Sequence, residues 1–293
     1  MSHLRELSGI PDPYHAFNRE ERHLAAVLFH LLQDRARLDT LLRRVAGLNW
    51  PLADAEFGIY FEYAHLRDLW HKMGHYSPHG ADGRRLANKA IRTRLDEAND
   101  HKRTAVVKLF QALKVSDATV AKLSDAGTVG EFNSLFNGRS AKKEILPPSL
   151  WRIDVMAKSF PRGDLEIAAQ IKWAFNAKPD LVIHTDRDHA LCLELKLESG
   201  EGSYGGDALE RAALAAAGGG QRFVGRQTEI QRFLMRDLLG LEARFLFITR
   251  KGEESAGEPD CRTISWQRLF EELAPPADLA PYLQSAIRFA CGG

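Results

Sequence analysis

Residues Lys178–Lys196 read KPDLVIHTDRDHALCLELK, and their pattern is the most informative in the chain. Two apolar segments flank a polar, turn-prone segment, TDRDH (185–189), so we expect an antiparallel hairpin. In the second segment, LCLELKLE, every second residue is a leucine, which predicts that one face of this strand is buried. Glu194 and Lys196 then point together from the other face.

This hairpin brings two carboxylates together. A turn centred on Arg187 sets Asp180 directly opposite Glu194, and a shift of one residue would break the register. Two carboxylates about 5 Å apart across strands repel each other. A hard divalent cation, Mg²⁺ or Mn²⁺, removes that repulsion, and Lys196 beside it can orient or help deprotonate a water. The spacing predicts a metal centre suited to phosphodiester hydrolysis, and a solvated hairpin with a Glu–Lys surface pair is the alternative.

Pro179-Asp180 at the start of one strand, with Glu194-Leu195-Lys196 on the next, resembles the signature of the PD-(D/E)XK nuclease superfamily. The resemblance implies a restriction-endonuclease-like α/β fold, with a mixed central sheet flanked by helices. It implies that Asp180 and Glu194 ligate a metal together with the backbone carbonyl of Leu195, and that Lys196 is the catalytic lysine. The implied enzyme is a metal-dependent phosphodiesterase, a nuclease with DNA as its expected substrate. By analogy, a role in bacterial defence, restriction or repair would follow.

A helix near the N-terminus supplies a further candidate ligand. Apolar residues recur with helical spacing from Leu24 to Leu32, and Glu21 precedes them. Many families of the superfamily carry an acid on the first core helix, and Glu21 resembles that acid, with Glu20 as a second candidate. With Asn18 as N-cap, Glu21 would also complete a capping box, so the metal-ligand and capping roles are both open.

The pattern of predicted helices and strands divides the chain into three segments. Residues 1–50 hold the expected first core helix, residues 51–150 form a large helical insert, and residues 151–293 form the nuclease core with C-terminal helices. In the insert, helices are predicted at about Asp54 to Met73, Gly83 to Leu113 and Asp117 to Phe136. In the core, strands are predicted at Leu181–Ile183, Ala190–Leu197 and Arg244–Thr249, and helices up to about Ala217, from Gln227 to Leu239 and beyond Trp266.

Polar and basic residues outside the hairpin are candidates for substrate contacts. Basic residues outnumber acids between positions 84 and 122, and in a chain of net charge +1 this local excess is where a nucleic-acid surface is expected. Two glutamines one helical turn apart resemble the Gln or Tyr that several nuclease branches turn toward the substrate. The candidates are Gln227, Gln231, Lys178, Arg92, Arg94, Lys102 and Arg103. A solvated helix face is the alternative for both groups.

Composition limits the setting and the partners. The 293 residues are 44% hydrophobic and 27% charged, as in ordinary globular proteins. No apolar run is long enough to span a bilayer, and the charged, proline-containing N-terminus does not resemble a signal peptide. Three scattered cysteines favour a reducing compartment, so we expect a cytoplasmic location and no membrane partner.

The expected partner is nucleic acid, with DNA favoured, and a homodimer or a partner protein is compatible with the sequence. A different class of function is also open. The chain could be a nuclease-derived module that binds nucleic acid or a partner without cutting. Because Asp180, Glu194 and Lys196 are all present, the cleaving enzyme is the favoured interpretation.

Overall fold

The computed structural model describes residues 21–54, 57–74, 88–138, 142–197, 204–217, 226–252 and 260–292, with backbone alone for residues 88–92 and 94. The chain divides into two compact units. The sheet unit comprises Met1–Tyr63, Pro179–Glu201 and Gly240–Gly293. The helical unit comprises Ala64–Lys178 and Gly202–Leu239. Residues 151–178 and 202–239 therefore group with the helices, whereas the sequence had suggested that they belong to the core.

The described strands form one mixed sheet in the order β1–β2–β3–β4–β5. They are β1 (Gly58–Phe61), β2 (Leu181–His184), β3 (His189–Leu195), β4 (Glu242–Thr249) and β5 (Cys261–Ser265). β2 is antiparallel to both β1 and β3, whereas β3, β4 and β5 run parallel to one another. The architecture is thus mixed α/β, and the three strands predicted from sequence are confirmed.

The described α-helices are numbered in chain order. They are α1 (Glu21–Leu31), α2 (Arg35–Thr40), α3 (His65–Lys72), α4 (Asn88–Ala112), α5 (Asp117–Asp125), α6 (Val129–Asn137), α7 (Ile153–Met156), α8 (Arg162–Asn176), α9 (Ala208–Ala217), α10 (Gln227–Arg232), α11 (Trp266–Leu273) and α12 (Pro281–Ala290). A π-helical segment, Leu41–Ala46, follows α2, and a second, Phe233–Leu238, continues α10. No described helix has both the length and the apolar character needed to cross a membrane.

The hairpin has the predicted register. Leu181 pairs with Leu193, so the next residues outward, Asp180 and Glu194, lie opposite each other. Asp186 fixes the turn, because its carboxylate accepts hydrogen bonds from two backbone N–H groups that follow it, at 2.8 and 2.9 Å. A polar turn and alternating leucines were therefore sufficient to place the two acids.

One face of the sheet packs against α1, α11 and α12. The apolar residues of α1 that were predicted to share a face are buried, and they join a core with Leu193 and Leu195. The other face of β3 is buried as well, since Glu194 is only 2% exposed. The solvated-hairpin alternative is therefore wrong.

Two of the predicted helices differ from the structure. Residues 54–73 were predicted as one helix, but Gly58–Phe61 is a strand paired with β2, and α3 begins at His65. Ile, Tyr and Phe favour strands, and four residues are too few to produce a clear alternation. The predicted helix Asp117–Phe136 is two helices, because Thr128 starts α6 with a capping box to Glu131.

Candidate active site

Two strands and one helix of the sheet unit bring four charged side chains together. Lys196 Nζ lies 2.7 Å from Glu194 Oε1 and 3.7 Å from Glu21 Oε2. Asp180 Oδ2 accepts a hydrogen bond of 2.8 Å from the backbone N–H of Leu195. The five residues predicted for metal binding and catalysis therefore form a single cluster at one end of β2 and β3.

The strand end that carries the lysine is fixed by its neighbours. The backbone N–H of Lys196 donates to the carbonyl of Ile248 at 2.8 Å, and its carbonyl accepts from the indole Nε1 of Trp266 at 2.9 Å. Trp266 is fully buried at the start of α11. Sequence reasoning missed this contact, because an aromatic residue at a helix start is more often simple core packing.

Glu21 reaches the same strand from α1. Its Oε1 accepts a hydrogen bond of 3.2 Å from the backbone N–H of Leu197, while its Oε2 faces Lys196. This carboxylate therefore contacts β3 and the residues just beyond it. Asn18, the predicted N-cap, and Glu20, the alternative acid, lie outside the described residues.

The orientation of Leu195 bears on its predicted role. Its N–H points to Asp180, and in an extended strand the N–H and C=O of one residue point toward the same neighbour. The Leu195 carbonyl therefore points to the side of β3 on which the Asp180 carboxylate lies. The Asp180 carboxylate and the Leu195 carbonyl thus share one edge of the cluster.

Burial and charge shift the protonation equilibria of this cluster. Burial raises the pKa of Asp180, and the Glu21 charge acts in the same direction, against the hydrogen bond from Leu195 and the charge of Lys196. Burial alone would lower the pKa of Lys196, but the charges of Glu194, Glu21 and Asp180 outweigh it and raise that pKa. Lys196 is therefore an ammonium ion at neutral pH.

The donor chemistry of the cluster suits a hard cation. Three carboxylates face one ammonium, so the cluster carries an excess of negative charge when its acids are ionised. Mg²⁺ binds oxygen donors and often takes one or two carboxylates from the protein. Among the described residues, no group of three or more His, Cys, Asp or Glu side chains has the spacing of a formed metal site. The oxygen donors that fit the ion are those of Asp180, Glu194 and the Leu195 carbonyl.

The predicted substrate residues lie in the helical unit. Gln231 is fully buried, Gln227 and Lys178 are half-buried, and Arg92 and Arg94 belong to α4, with side chains outside the description. The sequence interpretation of Gln227, Lys178, Arg92 and Arg94 stays a prediction. For Gln231, any contact with substrate would require its helix to open.

Burial contradicts the prediction for Lys102, which does not lie on an open basic surface, whereas the substrate role of the half-buried Arg103 stays a prediction. Lys102 is 4% exposed, and its Nζ lies 5.5 Å from the Trp70 ring centroid. Arg103 donates to the Ala126 carbonyl and lies over the Phe132 ring at 5.7 Å. Both side chains stabilise packing within the helical unit. The number of basic residues along α4 does not show which of their side chains face solvent and which face the packed interior.

Protein-family models, curated proteins and solved structures were each compared with this chain, and none of the three comparisons gives a match.

Proposed function

We propose that the chain is a Mg²⁺- or Mn²⁺-dependent nuclease that hydrolyses phosphodiester bonds in DNA. One observation carries the proposal: Asp180, Glu194 and Lys196 meet at one end of two neighbouring strands, where the superfamily signature would need them. The mixed sheet, with α1 packed on it, supports the restriction-endonuclease-like fold that the signature implies.

A structural ion pair is the competing explanation of the cluster. Glu194 and Lys196 alone would complete such a pair, since their side chains lie 2.7 Å apart. Asp180 and Glu21 add two further carboxylates, and burial raises the pKa of Asp180. An acid held where its ionised form is disfavoured weakens the metal-free fold, which is what a cation-binding site requires and a purely structural pair does not.

Asp180, Glu194 and the Leu195 carbonyl would hold the ion, with Glu21 beside them. When bound, the ion would supply positive charge that stabilises the phosphoryl oxygens and lowers the pKa of a nearby water. Lys196 keeps its proton because its own pKa is raised, so its part is to donate hydrogen bonds to a phosphate oxygen and stabilise negative charge as it develops.

The fixed backbone of Lys196 matters for this role. Ile248 and Trp266 hold its N–H and its carbonyl, so the ammonium is positioned by a strand end that does not need to reorganise on binding. Glu194 holds the ammonium itself at 2.7 Å. Substrate binding therefore meets a group that is already oriented.

Cleavage of a panel of substrates tests the proposed function. Supercoiled plasmid, linear duplex, single-stranded DNA and RNA are each incubated with the purified chain in Mg²⁺, in Mn²⁺ and in EDTA. The proposal predicts metal-dependent cutting of DNA that EDTA abolishes. Cutting of RNA alone would overturn the substrate assignment. Absence of cutting on every substrate, combined with metal-independent DNA binding, would favour the non-cleaving module.

A further inference from the structure

A cavity of about 330 Å³ lies in the sheet unit, lined by the π-helical segment Leu41–Ala46, by the residues after β4, by β5 and by α11. Among the described residues, its lining includes four basic side chains and a single carboxylate, that of Glu272. The basic residues are Arg44, Lys251, Arg262 and Arg268. The described lining residues therefore carry an excess of three positive charges, in a chain whose net charge is +1.

One carboxylate organises two of these cations. Glu272, with its side chain 8% exposed, pairs with Arg44 at 3.0 Å and also with Arg268. The two arginine side chains are 68% and 62% exposed, so most of their donors remain open to solvent. A guanidinium has five N–H donors in a rigid fork that matches the oxygens of a phosphate.

The other two basic residues differ in what holds them. Arg262 donates to the backbone carbonyl of Val45 and so joins β5 to the π-helical segment. Lys251 is exposed, and its ammonium makes no ion pair or hydrogen bond with any described residue. The cavity thus combines fixed guanidiniums with one ammonium that pairs with none of the described side chains.

The backbone adds further positive potential to the cavity. Gly252 has φ +66°, and a Cβ on it would lie 3.0 Å from Ser265, so the two segments approach closely where both line the cavity. Ser265 is the N-cap of α11, and the first turn of a helix carries partial positive charge. This contribution is secondary, because the side chains already determine the sign of the cavity.

The cavity lies close to the candidate active site. Ser265 pairs with Thr249 on β4, and the neighbouring Ile248 pairs with Leu195 on β3. Two strand spacings, about 10 Å, therefore separate the backbone of Ser265, which lines the cavity, from the end of β3 that carries Lys196. Trp266, which follows Ser265, donates directly to the Lys196 carbonyl.

We propose that this cavity binds a phosphate group of the same nucleic-acid strand that the Lys196 cluster cleaves. The identity of the ligand rests on the proposed function, whereas recognition of a phosphate rests on the cavity itself. A purely structural ion-pair network would need about as many acids as bases. The surplus of cations, their exposure and the fixed guanidiniums all favour an anion with several oxygens.

Binding in EDTA, where no cleavage occurs, tests this inference. A fluorescein-labelled DNA duplex is titrated at several KCl concentrations with wild type and with the double variant Arg44→Gln/Lys251→Gln. We expect affinity to fall roughly tenfold at low salt, and the slope of log K against log salt to decrease by about one. The matched control, Arg288→Gln/Lys158→Gln, removes the same charges from exposed positions outside the cavity and should bind like wild type.

The single variant Lys251→Gln separates a loss of binding from a loss of stability. Because Lys251 has no partner among the described residues, its loss does not break an ion pair, and it should still weaken binding with an unchanged melting temperature. Unchanged affinity and slope in both Lys251 variants would overturn the inference. Inorganic phosphate or a free nucleotide that binds wild type as tightly as the duplex does would replace the nucleic acid with a small anion as the ligand, and would equally overturn it.

The two proposals can fail separately. If wild type cuts DNA but the double variant binds DNA normally, the cavity inference fails and the nuclease stands. If the double variant loses DNA binding while wild type cuts no substrate, the cavity still binds a phosphate of DNA, and the nuclease fails together with the statement that the bound strand is a substrate. Neither Arg44 nor Lys251 belongs to the cluster of Asp180, Glu194 and Lys196, so cleavage and binding report on different residues.

Discussion

Asp180 carries a charge that burial makes unfavourable in the folded chain. Burial raises the pKa of its carboxyl, and the charge of Glu21 acts in the same direction. Folding therefore favours the protonated form over the ionised one. Glu194 differs, because Lys196 lies 2.7 Å from it and compensates its charge. Removal of the two acids should consequently have different effects on stability.

We predict that Asp180→Asn raises the melting temperature of the metal-free protein at pH 7. Asparagine keeps an oxygen that accepts from the Leu195 N–H but carries no charge. Relief of about 1 kcal/mol would raise the melting temperature by roughly 2–4 °C. Differential scanning calorimetry in EDTA measures it, with the exposed Asp188→Asn as the matched control. A lower melting temperature in Asp180→Asn would contradict the account of the cluster.

The same shift sets a pH dependence. Since the pKa of Asp180 is raised on folding, the folded chain holds a proton that the unfolded chain has released, over the range from the ordinary carboxyl pKa of 3.8 up to the raised value. The contribution of Asp180 to stability is thus present below that range and is lost as pH rises through it. Asp180→Asn has no such loss.

Urea unfolding of both proteins in EDTA, from pH 4 to pH 8, measures this effect. We expect the stability advantage of Asp180→Asn to be smallest at the acid end, close to the ordinary carboxyl pKa of 3.8, and to grow as the pH rises. Mg²⁺ should reduce the advantage by binding the wild-type carboxylates. A difference that stays constant with pH would show that the effect is not electrostatic.

At the scale of single elements, patterns with short periods were predictable and isolated charges were not. The hairpin could be predicted because alternating leucines and a polar turn fix its register. On α4, in contrast, Lys102 stands four residues from both Ala98 and Val106, which are buried, and this spacing already placed it on the packed face. The prediction counted basic residues along α4 and did not use their spacing from buried residues.

Arg103 should act as a packing residue of the helical unit. Its guanidinium donates to the Ala126 carbonyl, in the segment between α5 and α6, and lies over Phe132. Arg103→Gln should therefore reduce the free energy of unfolding by about 1–3 kcal/mol, as measured by urea denaturation. Lys108→Gln, an exposed change on the same helix, should have no such effect. Equal stabilities for the two variants would show that Arg103 does not stabilise the packing of this unit.

At the scale of the whole molecule, the sequence could not show how the sheet unit is assembled. Its strands come from three separate stretches of chain, and β1 pairs residues 58–61 with residues 181–184. No local pattern encodes such a pairing, because each strand is specified by neighbours distant in sequence. The candidate site could be predicted since its signature lies on one hairpin, whereas the support from Trp266 and Ile248 and the basic cavity depend on the long-range fold.

Single-turnover cleavage of a labelled DNA duplex tests whether the cluster of Asp180, Glu194 and Lys196 is an active site. Wild type is compared in Mg²⁺ with Asp180→Asn, Lys196→Met and the exposed control Lys158→Met. We predict that Lys158→Met cuts like wild type and that the first two variants are slower by at least about 10²-fold. Asp180→Asn is expected to be more stable than wild type, so its inactivity would not reflect unfolding. Cleavage by Asp180→Asn and Lys196→Met at the wild-type rate would contradict the assignment of this cluster as the active site.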